Sequence, residues 1–324
     1  MIETDSKNTR APALRAGAAP GRDSTTAIEV TRLSKRYGAT MAVEDLSFTA
    51  SYGRIVGFLG PNGAGKTTTL RALLGLIRPT AGTATIDGCP YAQLPDPVRT
   101  VGAVLDGGAL HPGRSGRSHL RVLASAAGVP DSRAETLLSL AGLESAAGRR
   151  AGDYSLGMRQ RLGLAAALLG DPKVLVLDEP ANGLDPQGIR WLRDLLRSLA
   201  AEGRAILISS HVLAEVAQTV DDIVVIRSGR SVLQAPLEQL LAQHAAGARV
   251  AGPDGRRLGE LLRAEGAHVV PEGPAAITVR DRSEEQILHV VAVHQLMVSE
   301  VSQAGSSLEE IYLELTGNPD GDTS

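Results

Sequence analysis

The sequence predicts an α/β fold in which helices cover both faces of a mainly parallel sheet. Short apolar segments typical of buried strands alternate with amphipathic segments typical of helices, as in parallel strands joined by crossover helices. A glycine-rich loop, Gly60–Thr67, separates one such strand from a helix. The most apolar short strand, Lys173–Leu177, is followed directly by the carboxylates of Asp178 and Glu179. These observations favour a parallel-sheet domain with polar residues in its loops and at its strand ends.

The composition limits the possible functions. The 324 residues suffice for one large and one smaller domain. A net charge of −3 and 2% aromatic residues provide neither a basic surface nor stacking platforms for nucleic acid. The single cysteine, Cys89, excludes an internal disulfide, and no apolar run reaches the ~18–20 residues that span a bilayer. We therefore expect a cytoplasmic protein without nucleic-acid binding or direct membrane insertion.

The glycine-rich loop fits the P-loop pattern, in which backbone N–H groups surround the phosphates of a nucleoside triphosphate. Arg54–Leu59 before it is predicted to be a buried strand, and Thr67–Leu74 the first turns of a helix. Lys66 is expected to reach the β- and γ-phosphates, and the Thr67 hydroxyl to ligate Mg²⁺. The residues of this loop predicted to bind the nucleotide are Gly60, Pro61, Asn62, Gly63, Ala64, Gly65, Lys66, Thr67 and Thr68.

Segments on either side of the P-loop predict the remaining elements. The other predicted strands are Ala27–Val30, Val43–Ala50, Thr83–Gly88, Val98–Leu105, Ala205–Ile208 and Ile223–Ile226. A hairpin turn is expected at Ser228–Arg230, and an amphipathic helix at Ile189–Leu199. From Leu110 to Gly148 the pattern is helical, which predicts an all-helical insertion in the α/β domain.

Changes in composition divide the chain into regions. Residues 1–26 are rich in Ala, Arg, Pro, Gly and Ser without periodicity, and are predicted to be a disordered tail. Residues 27–234 are predicted to be a nucleotide-binding domain, and residues 235–318 a small accessory α+β domain followed by a tail at 319–324. The accessory region mixes short strands with helices and shows no catalytic pattern.

Asp178 and Glu179 form a Walker B ending at the tip of the most apolar strand. Asp178 is expected to hold Mg²⁺, and Glu179 to accept a proton from the water that attacks the γ-phosphate. In a domain that already contains a P-loop, this pair favours a site that hydrolyses a nucleoside triphosphate over a simple strand end.

Further segments give the sequence a family resemblance. Tyr154–Gln160, just before a predicted helix, resembles the LSGGQ signature of ATP-binding cassette (ABC) ATPases. Asp185 resembles the D-loop residue of that family, His211 its switch histidine, and Tyr37 stands where the family stacks an aromatic ring on adenine. With the P-loop and the Walker B ending, these motifs occur in the family's order and cover residues 27–232.

The resemblance implies a fold and partners. The fold would be the ABC cassette of the P-loop NTPases, with a RecA-like core, an antiparallel β subdomain and a helical subdomain at about residues 107–170. Ser155 and Gly157 would contact the γ-phosphate held on the P-loop of a second cassette, so that ATP closes a homodimer or a cassette heterodimer. His211 would contact the γ-phosphate beside Glu179. A separate transmembrane permease and a location on the inner face of the plasma membrane are also implied.

Two sites differ from the family pattern. Asp106 stands where the family usually has the Q-loop glutamine; its carboxylate can ligate Mg²⁺ or water but cannot donate a hydrogen bond while ionised. Leu156 and Met158 replace a glycine and a glutamine of the signature consensus. With Asp106 included, the predicted metal ligands are Thr67, Asp106 and Asp178.

The segments Val101–Asp106 and His111–Arg117 are most similar to single-cassette subunits of bacterial drug and antibiotic exporters, the bacitracin and daunorubicin resistance type. The sequence therefore predicts an ATP-hydrolysing subunit that exports drugs, antibiotics or other hydrophobic compounds. An importer ATPase and a regulatory ATP-binding module with weak hydrolysis are the alternatives. A DNA-repair ATPase would carry a long heptad insertion and a translation factor two cassettes, and the sequence shows neither.

Overall fold

The computed structural model describes residues 25–105, 110–244, 248–273, 275–303 and 308–316. Residues 1–24 of the predicted N-terminal tail, the predicted tail at 319–324 and the predicted metal ligand Asp106 lie outside these ranges. The strands are β1 (Thr26–Tyr37), β2 (Thr40–Ser51), β3 (Ile55–Leu59), β4 (Ala81–Ile86), β5 (Val101–Val104), β6 (Val174–Asp178), β7 (Ala205–Ser210), β8 (Asp222–Arg227), β9 (Arg230–Pro236), β10 (Ala248–Ala251), β11 (Val269–Pro271), β12 (Ala276–Val279) and β13 (Glu300–Gln303). The helices are α1 (Lys66–Leu73), α2 (Pro97–Thr100), α3 (Gly116–Ala126), α4 (Asp131–Leu140), α5 (Leu156–Ala167), α6 (Pro186–Ala201), α7 (Leu213–Ala217), α8 (Leu237–His244), α9 (Gly255–Ala264), α10 (Glu284–Val293) and α11 (Leu308–Thr316).

A six-stranded sheet of order β5-β6-β7-β3-β8-β9 forms the centre of the main unit, which we define as residues 25–244. Strands β5, β6, β7, β3 and β8 are parallel, and β9 pairs antiparallel with β8 through the predicted hairpin. Every residue of β3, β6 and β7 is buried, as expected for apolar strands covered on both faces. The parallel α/β prediction is confirmed.

A second sheet, of order β2-β1-β4, is antiparallel throughout and forms the predicted β subdomain. Strands β1 and β2 are longer than the sequence indicates, since both run for twelve residues. Phe48 of β2 stacks on Phe58 of β3, with ring centroids 5.0 Å apart. Because β3 leads into the P-loop, this contact fixes the antiparallel sheet beside the phosphate-binding loop.

Helices α3, α4 and α5 form the helical insertion, and they pack against one another. Immediately before it, the strand predicted at Val98–Leu105 is wrong at its start. Residues Pro97–Thr100 form the short helix α2, because Asp96 accepts a hydrogen bond from the Arg99 N–H and Pro97 fits the first helical turn. The strand β5 begins only at Val101.

The small unit, which we define as residues 248–303, has its own hydrophobic core. Its four strands form an antiparallel sheet of order β11-β12-β10-β13, and buried residues of α9 and α10 complete the core. Helix α11 follows the small unit in sequence, yet its buried Leu308 and Ile311 belong to the hydrophobic cluster of the main unit. Leu237 and Leu240 of α8 belong to that cluster too. The small unit is therefore connected to the main unit at both of its ends.

Candidate active site

The P-loop runs from the end of β3 to the start of α1, and two of its glycines are sterically required. Gly65 has φ of 105°, and a Cβ there would lie 2.5 Å from the Ala42 carbonyl oxygen. A Cβ on Gly60 would lie 2.6 Å from the Ile226 carbonyl oxygen. Larger residues would displace the loop, so these glycines allow the backbone to curve at the N-terminus of α1, where N–H groups can bind anions.

Lys66 is the first residue of α1 and is 6% exposed. Its Nζ donates a hydrogen bond of 2.7 Å to the Gly60 carbonyl oxygen and lies 3.2 Å from Glu179 Oε1. A buried ammonium group requires such partners, because burial without them costs several kcal/mol. The structure thus brings the P-loop lysine and the predicted general base into direct contact.

Thr67 and Asp178 meet at the end of β6. Thr67 Oγ1 donates a hydrogen bond of 2.7 Å to Asp178 Oδ2, and Asp178 is buried. Hydroxyl and carboxylate oxygens are the ligands that Mg²⁺ prefers, and Mg²⁺ usually combines one or two of them with phosphate oxygens. In the described ranges no group of three His, Cys, Asp or Glu residues could hold a metal. The donor set therefore fits Mg²⁺.

Glu179 has the left-handed backbone conformation, with φ of 50°. A non-glycine residue adopts it only where the surroundings hold it, often at functional sites. The Glu179 N–H donates to Ser209 Oγ at 2.9 Å, and the Ser209 hydroxyl donates to Asp178 Oδ1 at 2.5 Å. One buried hydroxyl therefore fixes both residues of the Walker B ending.

Ser209 is a residue to which the sequence analysis assigns no role. The available signal was a pair of serines, Ser209 and Ser210, at the end of an apolar segment. The signal alone could not identify its partner, since the pairing of Ser209 with Asp178 depends on β6 and β7 being neighbours in register.

His211 follows β7, and its Nδ1 lies 2.8 Å from Glu179 Oε2. Glu179 therefore has the Lys66 ammonium at one carboxylate oxygen and the His211 imidazole at the other. A carboxylate placed in this way can accept a proton from a nearby water, and the imidazole can orient that water.

The predicted signature forms the N-terminus of α5 in a different part of the main unit. Ser155 is exposed and caps the helix, because its Oγ accepts a hydrogen bond of 3.2 Å from the Met158 N–H. Leu156 is 54% exposed and faces Gly183, where an added Cβ would lie 2.1 Å from Leu156 Cδ2. Among the described residues, no hydrogen bond joins Ser155 to the P-loop of the same chain.

The D-loop residue lies on the same surface as the signature. Asp185 caps α6 by accepting a hydrogen bond of 2.7 Å from the Gly188 N–H. The Gln160 side chain donates to the Asn182 carbonyl oxygen at 3.3 Å, which ties the signature helix to the D-loop. We name this surface the signature face, with Ser155, Leu156, Gly157, Gly183 and Asp185 as its members.

Tyr37 ends β1 and is half-exposed. The Lys35 Nζ lies 4.9 Å from the centroid of its ring, a cation–π contact. The exposed ring is free to take a flat aromatic partner, which agrees with the predicted adenine contact without testing it.

An apolar groove of about 580 Å³ lies between β5 and the helices α3 and α5. Its apolar lining includes Val101, Val104, Leu110, Leu123, Ala127 and Leu169. His119 also lines it and is buried, and its Nδ1 has no hydrogen-bond partner among the residues that the structure describes. Burial lowers the pKa of His119, and the nearby charges of Arg114 and His111 lower it further.

Comparison with known proteins places this geometry in context. A family model described as ABC transporter matches residues 43–182. The bacitracin transport ATP-binding protein BcrA of Bacillus licheniformis is 41% identical over 218 residues, 66% of this chain and 71% of that protein. The Nod factor export ATP-binding protein I of Burkholderia orbicola is 36% identical over 308 residues, 90% of this chain and 97% of that protein. A solved structure of an ATP-binding subunit of an ABC transporter has a TM-score of 0.62 at 31% identity, covering 67% of this chain and 93% of that one.

Proposed function

Since this chain belongs to the ABC transporter family, as an ATP-binding subunit with ATPase activity, we propose that it drives the export of an antibiotic or another hydrophobic compound. The names of the two relatives, one for bacitracin transport and one for Nod factor export, support this direction and this kind of cargo. The observation that supports the hydrolytic role most strongly is the Glu179 carboxylate, held between Lys66 and His211.

ATP binding is assigned to the P-loop and to Tyr37. The N-terminus of α1 supplies backbone N–H groups and a partial positive charge for the phosphates, and Lys66 adds a full positive charge. Of the nine predicted residues, Gly60–Gly65 form the loop after β3, and Lys66, Thr67 and Thr68 form the first turn of α1. Tyr37 would stack on the adenine ring.

Mg²⁺ would be held by Thr67 Oγ1 and Asp178 Oδ2, which already lie 2.7 Å apart. When bound, the ion neutralises the charge that develops on the phosphate oxygens. Asp106 is the third ligand that we propose from the sequence.

Hydrolysis transfers the γ-phosphoryl group of ATP to water. Glu179 accepts the proton of the attacking water, whose oxygen bonds to the γ-phosphorus as the bond to the β–γ bridging oxygen breaks and ADP departs. His211 orients the water and the γ-phosphate, and Lys66 stabilises the departing charge. Ser209 fixes the positions of Asp178 and Glu179 through its hydrogen bonds and has no direct role in the reaction.

Two copies of a cassette would complete the site. The signature face carries a helix N-terminus and an exposed Ser155 hydroxyl, both suited to a phosphate oxygen. Because Ser155 makes no hydrogen bond to its own P-loop among the described residues, we assign its phosphate to the P-loop of the partner. The partner is a second copy or a related cassette, and ATP closes the pair.

A separate transmembrane permease would receive the motion that the pair of cassettes makes when ATP closes it. Within the described part of the chain, no helix is both long and apolar enough to cross a bilayer. The apolar groove beside β5 provides a surface for a helical segment of such a permease. We therefore place the protein on the inner face of the plasma membrane.

The experiment compares ATP turnover with Mg²⁺ for wild type and Glu179→Gln, with size-exclusion chromatography in ATP as a second readout. Wild type should hydrolyse ATP, whereas Glu179→Gln should bind ATP, lose turnover and accumulate as a dimer. A wild-type protein that binds ATP without hydrolysing it, alone or with its permease, would contradict the proposal and favour a regulatory module.

A further inference from the structure

The C-terminal helix α11 contacts the main unit at a helix next to the catalytic cluster. It packs against α7, and Ile311 is 0% exposed there. Leu308 and Ile311 share one hydrophobic cluster with Leu213 and Val216 of α7. Because burial of two aliphatic side chains is strongly favourable, this contact helps to fix where α7 lies.

Helix α7 depends on its neighbours for its position. It has five residues and begins two residues after His211. A single helical turn is not stable alone in water, so packing must hold it. On one side, Val216 lies close to β3, since a Cβ on Gly57 would be 2.8 Å from Val216 Cγ1.

A cavity of about 150 Å³ borders α7 and reaches the catalytic residues. Its lining includes Glu179, His211, Val212 and Val216, together with Leu192 and Leu196 of α6. Side chains beside a cavity are held by fewer contacts than side chains in a close-packed core. The packing of α11 therefore matters for α7 more than it would in a filled core.

We propose that α11 is a positioning element of the ATPase site, with Leu308 and Ile311 holding α7 so that His211 stays against Glu179. The inference rests on the proposed role of His211 in hydrolysis.

The kinetic test uses the full chain with Ile311→Ala, and with Leu313→Ala as a control on the same helix, where Leu313 is 46% exposed. Ile311→Ala should lower kcat about tenfold, because a small displacement of a catalytic group is costly. KM for ATP should change less than about twofold, since Lys66 and the P-loop are untouched. Leu313→Ala should keep the wild-type kcat, and Ile311→Val should restore most of it.

A double variant tests whether the effect passes through His211. In single-turnover measurements, His211→Ala should lower the rate, and adding Ile311→Ala should lower it no further. Two losses that multiply would overturn the proposal, as would an Ile311→Ala enzyme with wild-type kcat.

A readout without turnover separates this inference from the proposed function. In histidine-labelled protein, the imidazole resonance of His211, assigned by its absence in His211→Ala, should shift in Ile311→Ala and stay in place in Leu313→Ala. A His211 resonance unchanged by Ile311→Ala would overturn the positioning role, even in a protein that did not hydrolyse ATP. A shift in a protein without hydrolysis would instead count against the proposed function alone.

Discussion

The catalytic cluster and the signature face are built in opposite ways. Lys66, Asp178 and Ser209 are buried, and each is hydrogen-bonded to a residue of a neighbouring strand or loop. Ser155 and Asp185 of the signature face are exposed, and their side chains cap their own helices. The cluster is ordered by contacts within one chain, whereas the signature face presents an exposed hydroxyl that can donate and an exposed carboxylate that can accept hydrogen bonds.

This difference indicates which steps each region controls. A prearranged cluster determines nucleotide binding and proton transfer, and it should respond to changes in any of its internal contacts. An exposed face should matter only when another surface meets it. Variants of the two regions should therefore fail at different steps.

The largest effect is expected for Lys66→Ala. Lys66 is a buried ammonium that contacts Glu179 and that we propose to contact the phosphates. Because the loss of one partner of a desolvated charge pair is costly, Lys66→Ala should weaken ATP binding at least about thirtyfold. The measurement is the Kd of a fluorescent ATP analogue, with the exposed Lys173→Ala as the control. Unchanged affinity in Lys66→Ala would contradict the assignment of the P-loop.

Ser209→Ala should have the next largest effect. It leaves the partly buried Glu179 N–H without its partner, which costs about 1–3 kcal/mol of unfolding free energy. Because Glu179 and Asp178 lose their common support, kcat should fall about tenfold while KM for ATP changes little. Ser231→Ala, on the exposed strand β9, is the control. Loss of stability with kcat intact would limit Ser209 to a structural role.

Ser155→Ala tests whether the signature face acts in turnover, and Ser115→Ala is a matched control for the loss of a helix cap. Both serines cap a helix by accepting an N–H three residues later, so both variants should lose about 1 kcal/mol of stability. Only Ser155→Ala should also lower turnover severalfold, and ATP affinity of the monomer should remain. Equal turnover in the two variants would show that the signature hydroxyl does no more than cap its helix.

The smallest effect concerns pH and His119, outside both regions. Burial holds the pKa of His119 in the folded protein below its ordinary 6.5. At a pH between the pKa of the folded protein and that of the unfolded chain, the unfolded chain binds more protons than the folded protein. Stability should therefore fall as the pH decreases below about 6.5, and less so in His119→Leu. Urea unfolding at about pH 7.5 and about pH 5.5 measures this, with the exposed His294→Leu as the control. An identical pH dependence in wild type and His119→Leu would refute the role of burial.

Much of the site was predictable because its motifs fix local geometry. The P-loop begins where β3 ends, and Asp178 and Glu179 lie at the end of β6. Both strands pair in parallel with β7, which lies between them, so their carboxyl ends meet at the same edge of the sheet. The parallel sheet, the antiparallel sheet and the helical insertion followed from periodicity and from the family resemblance. The ABC assignment was confirmed by the comparisons.

Other features depend on contacts between residues that are distant in the chain, and such contacts cannot be predicted from a single sequence. The role of Ser209 requires β7 to pair with β6, and the position of α11 requires the chain to return to α7 after the small unit. The left-handed Glu179 follows from the same contacts. The error at α2 was local, since the cap formed by Asp96 outweighed an apolar segment that indicated a strand.

The central claim is that the complete site joins the P-loop of one copy to the signature face of another, and mixing two inactive variants tests it most directly. Lys66→Ala removes the P-loop function, and Ser155→Arg blocks the signature face; each protein alone should be nearly inactive. In a head-to-tail pair, the mixed dimer keeps one intact site, so an equal mixture should regain about a quarter of the wild-type rate. A mixture as inactive as its components would contradict the account, because it would mean that the two regions must lie in the same chain.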